Sequence, residues 1–124
     1  MTPDLPRHQG QRQQLLALLR SKGIKNERVL EAMGRIPRHA FLESSFEEFA
    51  YQDIAFPIAA GQTISQPYTV AFQSDALGLA EGAKILEIGT GSGYQAAVLE
   101  EMGYRVYTIE RQKALFDFSK RLLD

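Results

Sequence analysis

The stretch of residues 84–111, KILEIGTGSGYQAAVLEEMGYRVYTIER, decides the fold. It opens with a short apolar run, Lys84–Ile88, which suits a strand buried on both faces. Three alternating glycines follow, and residues 94–102 are then good helix formers that end at Gly103. The next run, Arg105–Ile109, is rich in residues that favour β structure. This order predicts a right-handed parallel βαβ unit, whose ligand site lies at the carboxyl ends of its strands.

The glycine loop is the first candidate binding element. Gly89, Gly91 and Gly93 permit positive φ angles and let the backbone come close to a ligand. Because the loop opens a helix, free backbone N–H groups and the positive helix end point into the site. Glu110 reaches the same site from the next strand tip, about 20 residues after the first glycine, the spacing of a carboxylate that binds two ribose hydroxyls. A structural turn without a ligand explains this pattern less well, so the unit predicts a nucleoside-cofactor site.

The kind of nucleoside stays open on these residues alone. The sequence GSGYQA of residues 91–96 fits the G-x-G-x-x-[GA] pattern of dinucleotide sites, which keeps a nicotinamide cofactor in view. Glu87, however, stands two residues before Gly89, where a second carboxylate would crowd an anionic pyrophosphate. It suits a ligand with a cationic end, such as S-adenosylmethionine. The stretch resembles motif I of the class I methyltransferases, and residues 106–111 resemble the acidic-loop motif that follows it.

Composition excludes several other classes. The chain has 124 residues, enough for one domain, with 14 basic and 15 acidic side chains. This balance does not favour a general binder of nucleic acid or of membranes. There are no cysteines, so disulfides and thiolate metal sites are excluded. The two histidines lie far apart in the sequence and outside the glycine-loop motif, so no metal site is predicted. No apolar run reaches the ~18 residues of a membrane span and no signal-peptide core is present, so we expect a cytoplasmic protein.

The amino-terminal part reads as helical. Residues 11–22 have an amphipathic pattern, and Asn26 is a good cap for a second helix over residues 27–33. Neither helix carries recognisable chemistry, and we expect them to form a cap packed on a larger domain. Arg38 and His39 follow as a cationic pair that we expect on a solvated face, with contact to an anionic substrate as the alternative.

Residues 61–70, GQTISQPYTV, form the second informative stretch. Pro67 suits the first turn of a helix that runs to about Leu79. Gln66 or Ser65 would then cap this helix, and a capping hydroxyl contributes about 1 kcal/mol. On the physics of the sequence alone, capping is the favoured role for Ser65.

Several motifs together resemble the protein-L-isoaspartate O-methyltransferase family. The glycine loop is shared by many methyltransferases, whereas GQTISQP is specific to this family. The segment IPRHAF also resembles the amino-terminal motif of the family. The motifs are IPRHAF (36–41), FPI (56–58), GQTISQPYTVA (61–71), LEIGTGSGYQAAVL (86–99) and YTIER (107–111).

This resemblance implies an enzyme that uses S-adenosylmethionine to methylate the free carboxylate of isoaspartyl residues in damaged proteins and peptides. It implies that Ser65 is the active-site residue. It also implies a set of cofactor-binding residues: Thr63, Ile64, Glu87, Gly89, Thr90, Gly91, Ser92, Gly93, Glu110 and Arg111.

The implied chemistry needs few polar groups. A substrate carboxylate has an unperturbed pKa of about 4, so it is already ionised at neutral pH and needs no general base. Alignment of the two reactants can supply up to roughly 7–11 kcal/mol. We therefore expect Ser65 to donate a hydrogen bond that orients the carboxylate. It should not be a covalent nucleophile, because no His–Asp relay accompanies it.

The fold expected from the resemblance is α/β, a Rossmann-like class I methyltransferase fold of which only the amino-terminal part is present. Residues 1–80 would form the helical cap and substrate-side segment, and residues 81–124 the first part of the cofactor-binding domain. Only two parallel strands are predicted, and residues 111–124 read as a final helix. An unpaired sheet edge favours self-association. We expect the isolated chain to bind cofactor weakly or not at all and to have low or no activity, as a truncated form.

Two alternatives stay open at this point. The first is an NAD-dependent oxidoreductase, which would prefer NADH to S-adenosylhomocysteine. The second is an inactive fragment that acts as a binding module, which would fold without transferring methyl groups.

Overall fold

The computed structural model describes residues 2–123. These residues form five α-helices, two short strands, two longer strands and several short 3₁₀ turns. The helices are α1 Pro6–Ser21, α2 Glu27–Arg35, α3 Pro67–Ala76, α4 Tyr94–Glu101 and α5 Lys113–Leu123, and the strands are β1 Phe56–Pro57, β2 Thr63–Ile64, β3 Lys84–Ile88 and β4 Arg105–Ile109.

The predicted βαβ unit is confirmed. Strands β3 and β4 pair in parallel, with Lys84 opposite Arg105 and Ile88 opposite Ile109, and α4 connects them. Strands β1 and β2 form a separate antiparallel pair. The arrangement is the first part of a Rossmann-like fold, with α2 packed against α4 and α1 packed against α2.

Burial of β3 on both faces, however, is wrong for the described residues. Alternate side chains point to opposite faces of a strand, so one face carries Ile85 and Val106 towards α4. On the other face, Leu86 is 63% exposed and Ile88 is 78% exposed. Residues 2–123 place their helices over one face only, which leaves the second face open.

The two predicted amino-terminal helices are present, with one shift of boundary. Helix α1 begins at Pro6 rather than near residue 11, because proline is favoured in the first helical turn. Asn26 caps α2 as predicted, and its side chain accepts a hydrogen bond from the backbone N–H of Arg28 at 3.0 Å. Leu19 and Val29, both fully buried, belong to the core that the helices share.

Helix α3 ends earlier than predicted and is capped differently. It runs only to Ala76, and neither Gln66 nor Ser65 caps it through a side chain. The carboxylate of Asp53 accepts the hydrogen bond from the backbone N–H of Tyr68 instead, at 2.7 Å. A carboxylate at a helix amino terminus is also favoured by the helix dipole.

The expected solvated pair is buried. Arg38 has no exposed surface and His39 has 2%. Backbone carbonyls make this burial possible: the Arg38 side chain donates hydrogen bonds to the carbonyls of Ala50 and Ser65, at 2.9 and 3.0 Å. The interpretation of Arg38 and His39 as a solvated face or a substrate contact is therefore wrong.

Within residues 2–123, no helix combines the length and apolar character that a membrane-spanning helix requires.

Candidate functional site

The glycine loop folds over the tip of β4. Gly89, Gly91 and Gly93 have φ angles of 93°, 58° and 89°, a region where only glycine is unstrained. The N–H groups of Gly89 and Thr90 both donate to the carbonyl oxygen of Ile109, at 2.8 and 3.1 Å. These bonds place the loop directly beside the residue that follows β4.

Glu110 is held at that strand tip by two backbone donors. Its Oε1 accepts a hydrogen bond from the N–H of Gly91 at 2.8 Å, and its Oε2 accepts one from Gln112 at 2.9 Å. The bonds from Gln112 and Gly91 lower the pKa of Glu110, so its carboxyl is charged at neutral pH. Because a carboxylate offers about four acceptor positions, it can still accept hydrogen bonds from a diol.

Glu87 belongs to the covered face of the sheet. Its Oε1 accepts a hydrogen bond from the hydroxyl of Thr108 at 2.7 Å, and that hydroxyl also lies 2.5 Å from the hydroxyl of Thr90. Burial raises the pKa of Glu87, and the charge of Glu110 raises it further. A cationic group beside Glu87 would stabilise its ionised form.

Ser92 and Gly93 build the loop. The hydroxyl of Ser92 accepts a hydrogen bond from the N–H of Tyr94 at 3.2 Å, which satisfies one free donor at the start of α4. A Cβ on Gly93 would lie only 3.2 Å from the side chain of Leu123 and 3.3 Å from that of Ser119. Close packing of α5 on the loop therefore requires glycine here.

A cleft of about 500 Å³ opens beside this loop, within the range of small-molecule sites. It brings together five of the predicted residues: Thr63, Gly89, Gly91, Glu110 and Arg111. Its other lining residues were not predicted: Gln62, Ile88, Ile109 and Gln112. Ile88 and Ile109 end their strands, so the rule that ligands bind at strand tips could have identified them. The remaining predicted residues do not line the cleft: Ile64, Ser65, Glu87, Thr90, Ser92 and Gly93.

The hairpin of β1 and β2 borders this cleft. A Cβ on Gly91 would lie 3.9 Å from the side chain of Ile58, which follows β1. Ile64 is buried and anchors the hairpin, whereas Thr63 lines the cleft. Ser65 comes two residues later and is exposed. Among the described side chains, none forms a hydrogen bond with its hydroxyl.

The two histidines, far apart in the sequence, meet in the fold. The rings of His8 and His39 stack with their centroids 3.8 Å apart, and their nitrogens lie within 4.8 Å of a carboxylate oxygen of Asp4. Sequence spacing gave no sign of this cluster. Stacked rings direct their lone pairs along parallel planes rather than to one point, and Arg12 already pairs with Asp4 at 2.8 Å. This geometry does not favour a metal centre.

A strand, a glycine loop, a helix and a second strand that ends in a carboxylate define a Rossmann-like βαβ unit, a class in which ligands bind at the strand tips. The sequence pattern of the family described as protein-L-isoaspartate(D-aspartate) O-methyltransferase matches residues 10–124. The chain belongs to this family.

Similar proteins carry the same description. A protein-L-isoaspartate O-methyltransferase of Flavobacterium psychrophilum is 62% identical over 120 residues, which cover 97% of this chain and 56% of that protein. One of Christiangramia forsetii is also 62% identical, with the same coverage. The chain thus spans about half the length of the curated relatives that it matches.

Solved structures agree. A protein-L-isoaspartate O-methyltransferase superposes with a TM-score of 0.78 at 30% identity, over 89% of this chain and 37% of the other. A Plasmodium falciparum protein of the same description, solved in complex with S-adenosyl-L-homocysteine, superposes with a TM-score of 0.74 at 27% identity. The superposition covers 92% of this chain and 53% of the other.

Proposed function

We propose that this chain carries the S-adenosylmethionine site of an enzyme that methylates the free carboxylate of L-isoaspartyl residues in damaged proteins. The observation that carries the proposal is the carboxylate of Glu110, held against the Gly91 N–H at the mouth of the cleft. Membership of the family supports the reaction, and the S-adenosyl-L-homocysteine complex of the Plasmodium relative supports the cofactor.

The residues of the cleft fit the chemistry of this cofactor. When bound, S-adenosylmethionine supplies an electrophilic methyl group on a cationic sulfur. Glu110 would accept hydrogen bonds from the ribose hydroxyls, and the backbone of Gly89 and Gly91 would allow close approach. Glu87 lies on the covered face of β3, two residues before Gly89. Its carboxylate would stabilise the cationic end of the ligand electrostatically. Thr63 and Arg111 would border the site.

The predicted cofactor roles of the other residues are then indirect. Thr90 and Ser92 form hydrogen bonds within the loop and to its neighbours through their hydroxyls. Gly93 allows α5 to pack closely against the loop, and the buried Ile64 anchors the hairpin that carries Thr63. We propose that these four residues position the site rather than line it.

Ser65 is the residue that we propose for substrate contact. Its hydroxyl is exposed beyond the end of β2, close in sequence to the cleft residue Thr63. It would donate a hydrogen bond to the isoaspartyl carboxylate and orient one oxygen towards the methyl group. Because the carboxylate is already ionised, no proton needs to be removed.

Transfer of a labelled methyl group tests this function. The chain, in excess over labelled S-adenosylmethionine, is mixed with an isoaspartyl peptide or with the matched aspartyl peptide. The open sheet face leaves the cleft in contact with water, so we expect slow transfer, confined to the isoaspartyl peptide and reduced by Ser65→Ala. Equal labelling of both peptides would contradict the proposal, whereas labelling of neither would favour the inactive-fragment alternative. The matched control is Thr69→Ala, which removes a hydroxyl from a half-buried position of α3.

We also infer that the chain associates with itself through the sheet of β3 and β4. Within residues 2–123, both outer edges of this sheet are unpaired. Unpaired edges offer free N–H and carbonyl groups to another strand. The exposed side chains of Leu86 and Tyr107 on the open face would add apolar contact area.

A further inference from the structure

Two buried charged side chains hold the backbone on either side of the exposed Ser65. Arg38 is completely buried, and its Nη2 donates a hydrogen bond to the carbonyl oxygen of Ser65 at 3.0 Å. On the other side, Oδ1 of Asp53 accepts a hydrogen bond from the N–H of Tyr68 at 2.7 Å, and Oδ2 accepts one from the side chain of Gln66 at 3.2 Å. These contacts bracket the turn between β2 and α3.

Arg38 also reaches the glycine loop. Its Cζ lies 4.8 Å from the centroid of the ring of Tyr94, the residue that follows Gly93 and begins α4. Within residues 2–123, Nη1 of Arg38 is buried without a hydrogen-bond partner, and the π face of Tyr94 is the group that offsets this loss. Arg38 therefore contacts both the turn that carries Ser65 and the start of α4 after the glycine loop. In the proposed function, methyl transfer requires these two segments to be aligned.

Asp53 is the anionic side chain on the other side of the turn. Its side chain is 5% exposed and pairs with the ammonium of Lys22. Burial alone would raise the pKa of Asp53, but the Lys22 ammonium and the two hydrogen bonds at the turn lower it. Asp53 is thus charged when it holds the start of α3.

Buried charges are weak contributors to stability, because an apolar side chain of similar volume often does as well. A fold that needed only packing around residue 65 would gain little from a buried arginine and a buried aspartate. Their geometry is better explained by the need to fix one backbone conformation. Alignment of this kind is where orientation lowers a reaction barrier.

We propose that Arg38 and Asp53 are positioning residues that hold the backbone of Ser65 so that its hydroxyl faces the isoaspartyl carboxylate. The proposal rests on the proposed function of Ser65. Neither side chain acts on the substrate itself: Arg38 fixes the carbonyl of Ser65, and Asp53 fixes the turn that follows. With this backbone fixed, substrate binding does not have to order it.

A measurement without catalysis tests the geometric half of the proposal by NMR. In Asp53→Asn, we expect the amide hydrogen of Tyr68 to exchange several-fold faster, because a neutral acceptor replaces a charged one. In Arg38→Lys, we expect a changed carbonyl carbon shift at Ser65. The control is Asp75→Asn, which makes the same change at an exposed position of α3. It should alter neither signal. Unchanged signals in both variants would overturn the proposal.

A double-mutant cycle with methyl transfer tests the functional half. We expect Asp53→Asn and Arg38→Lys each to lower kcat by about ten-fold while the Kd for S-adenosylhomocysteine changes less than about two-fold. In a Ser65→Ala background the same substitutions should have almost no further effect, because they act through Ser65. Equal losses in both backgrounds, or an equal loss of cofactor affinity, would mean a merely structural role and overturn the proposal.

The two halves separate the possible failures. If the unaltered chain transfers no methyl group, the inactive-fragment alternative is favoured, while the amide exchange rate of Tyr68 and the carbonyl shift of Ser65 still decide whether Arg38 and Asp53 hold the backbone of Ser65. If Arg38→Lys does not fold, Asp53→Asn carries both tests alone.

Discussion

Glu110 is the side chain on which we propose that cofactor recognition depends most directly. Glu110→Gln removes the charge and leaves one oxygen where two now accept hydrogen bonds. Hydrogen bonds to a charged group contribute about 1.5–3 kcal/mol, so we expect the affinity for S-adenosylhomocysteine to fall by roughly ten- to a hundred-fold. NMR titration of the amide signals measures this affinity.

The control for this prediction is Glu43→Gln, which makes the same change on an exposed side chain that does not line the cleft. We expect it to leave the affinity unchanged. An unchanged affinity in Glu110→Gln would show that its carboxylate does not hold the ribose.

Histidine protonation gives a second prediction at this scale. Burial lowers the pKa of His8, and the positive charges of His39 and Arg7 lower it further, against the opposite effect of Glu47 and Asp4. The unfolded chain, with a histidine pKa near 6.5, therefore binds a proton more readily than the folded chain. We expect the free energy of unfolding to fall as the pH falls from 7.5 through about 6.5 towards 5.5.

Urea unfolding at a series of pH values measures this dependence. His8→Gln keeps a polar side chain without titration, so its stability should vary less over the same range. If the free energy of unfolding of the unaltered chain stays constant or rises as the pH falls from 7.5 to 5.5, the lowered pKa of His8 is contradicted.

At the scale of elements, the glycine loop and α5 make the sharpest prediction. Gly89 and Gly93 both have φ angles near 90°, but only Gly93 faces crowding, from Leu123 and Ser119. Alanine at either position takes on backbone strain of about 1–2 kcal/mol. Overpacking should add roughly 1–3 kcal/mol at Gly93 alone.

Urea unfolding of Gly89→Ala and Gly93→Ala separates these two effects. We expect both variants to be destabilised, Gly93→Ala by the larger amount. Equal losses would show that α5 does not pack against the loop.

The elements also show why some features could be predicted from the sequence and others could not. The βαβ unit follows from local signals: the apolar run before Gly89, the helix formers after Gly93 and the β-formers before Glu110. The family motifs likewise located the hairpin residue Thr63. The other four predicted residues of the cleft could be found because they lie in the glycine loop or just after β4, which are local features.

Features that depend on distant partners were missed. The cap of α3 comes from Asp53, 15 residues before its partner Tyr68, and no local pattern links the two. Arg38 reads as a surface cation until the carbonyls of Ala50 and Ser65 are seen around it. The open face of β3 was also unexpected, because an apolar strand in a parallel sheet is normally covered on both sides.

For the whole molecule, we expect the open sheet face to favour self-association in solution. Leu86 and Tyr107 are 63% and 56% exposed on neighbouring strands. Apolar side chains grouped on a sheet face favour association. We expect a concentration-dependent rise in mass by analytical ultracentrifugation, weakened in the Leu86→Lys, Tyr107→Lys double variant.

Leu18→Lys, on an exposed position of α1, is the matched control and should associate like the unaltered chain. A single monomeric species at all concentrations would argue against association through the sheet.

The central claim concerns the class of ligand that the cleft binds, and parallel NMR titrations with S-adenosylhomocysteine and NADH test it most directly. We predict weak binding of S-adenosylhomocysteine, with shifts concentrated at Gly89, Gly91 and Gln112, and weaker or no effects with NADH. Stronger binding of NADH at these amides, or S-adenosylhomocysteine shifts that lie outside the cleft, would contradict the claim.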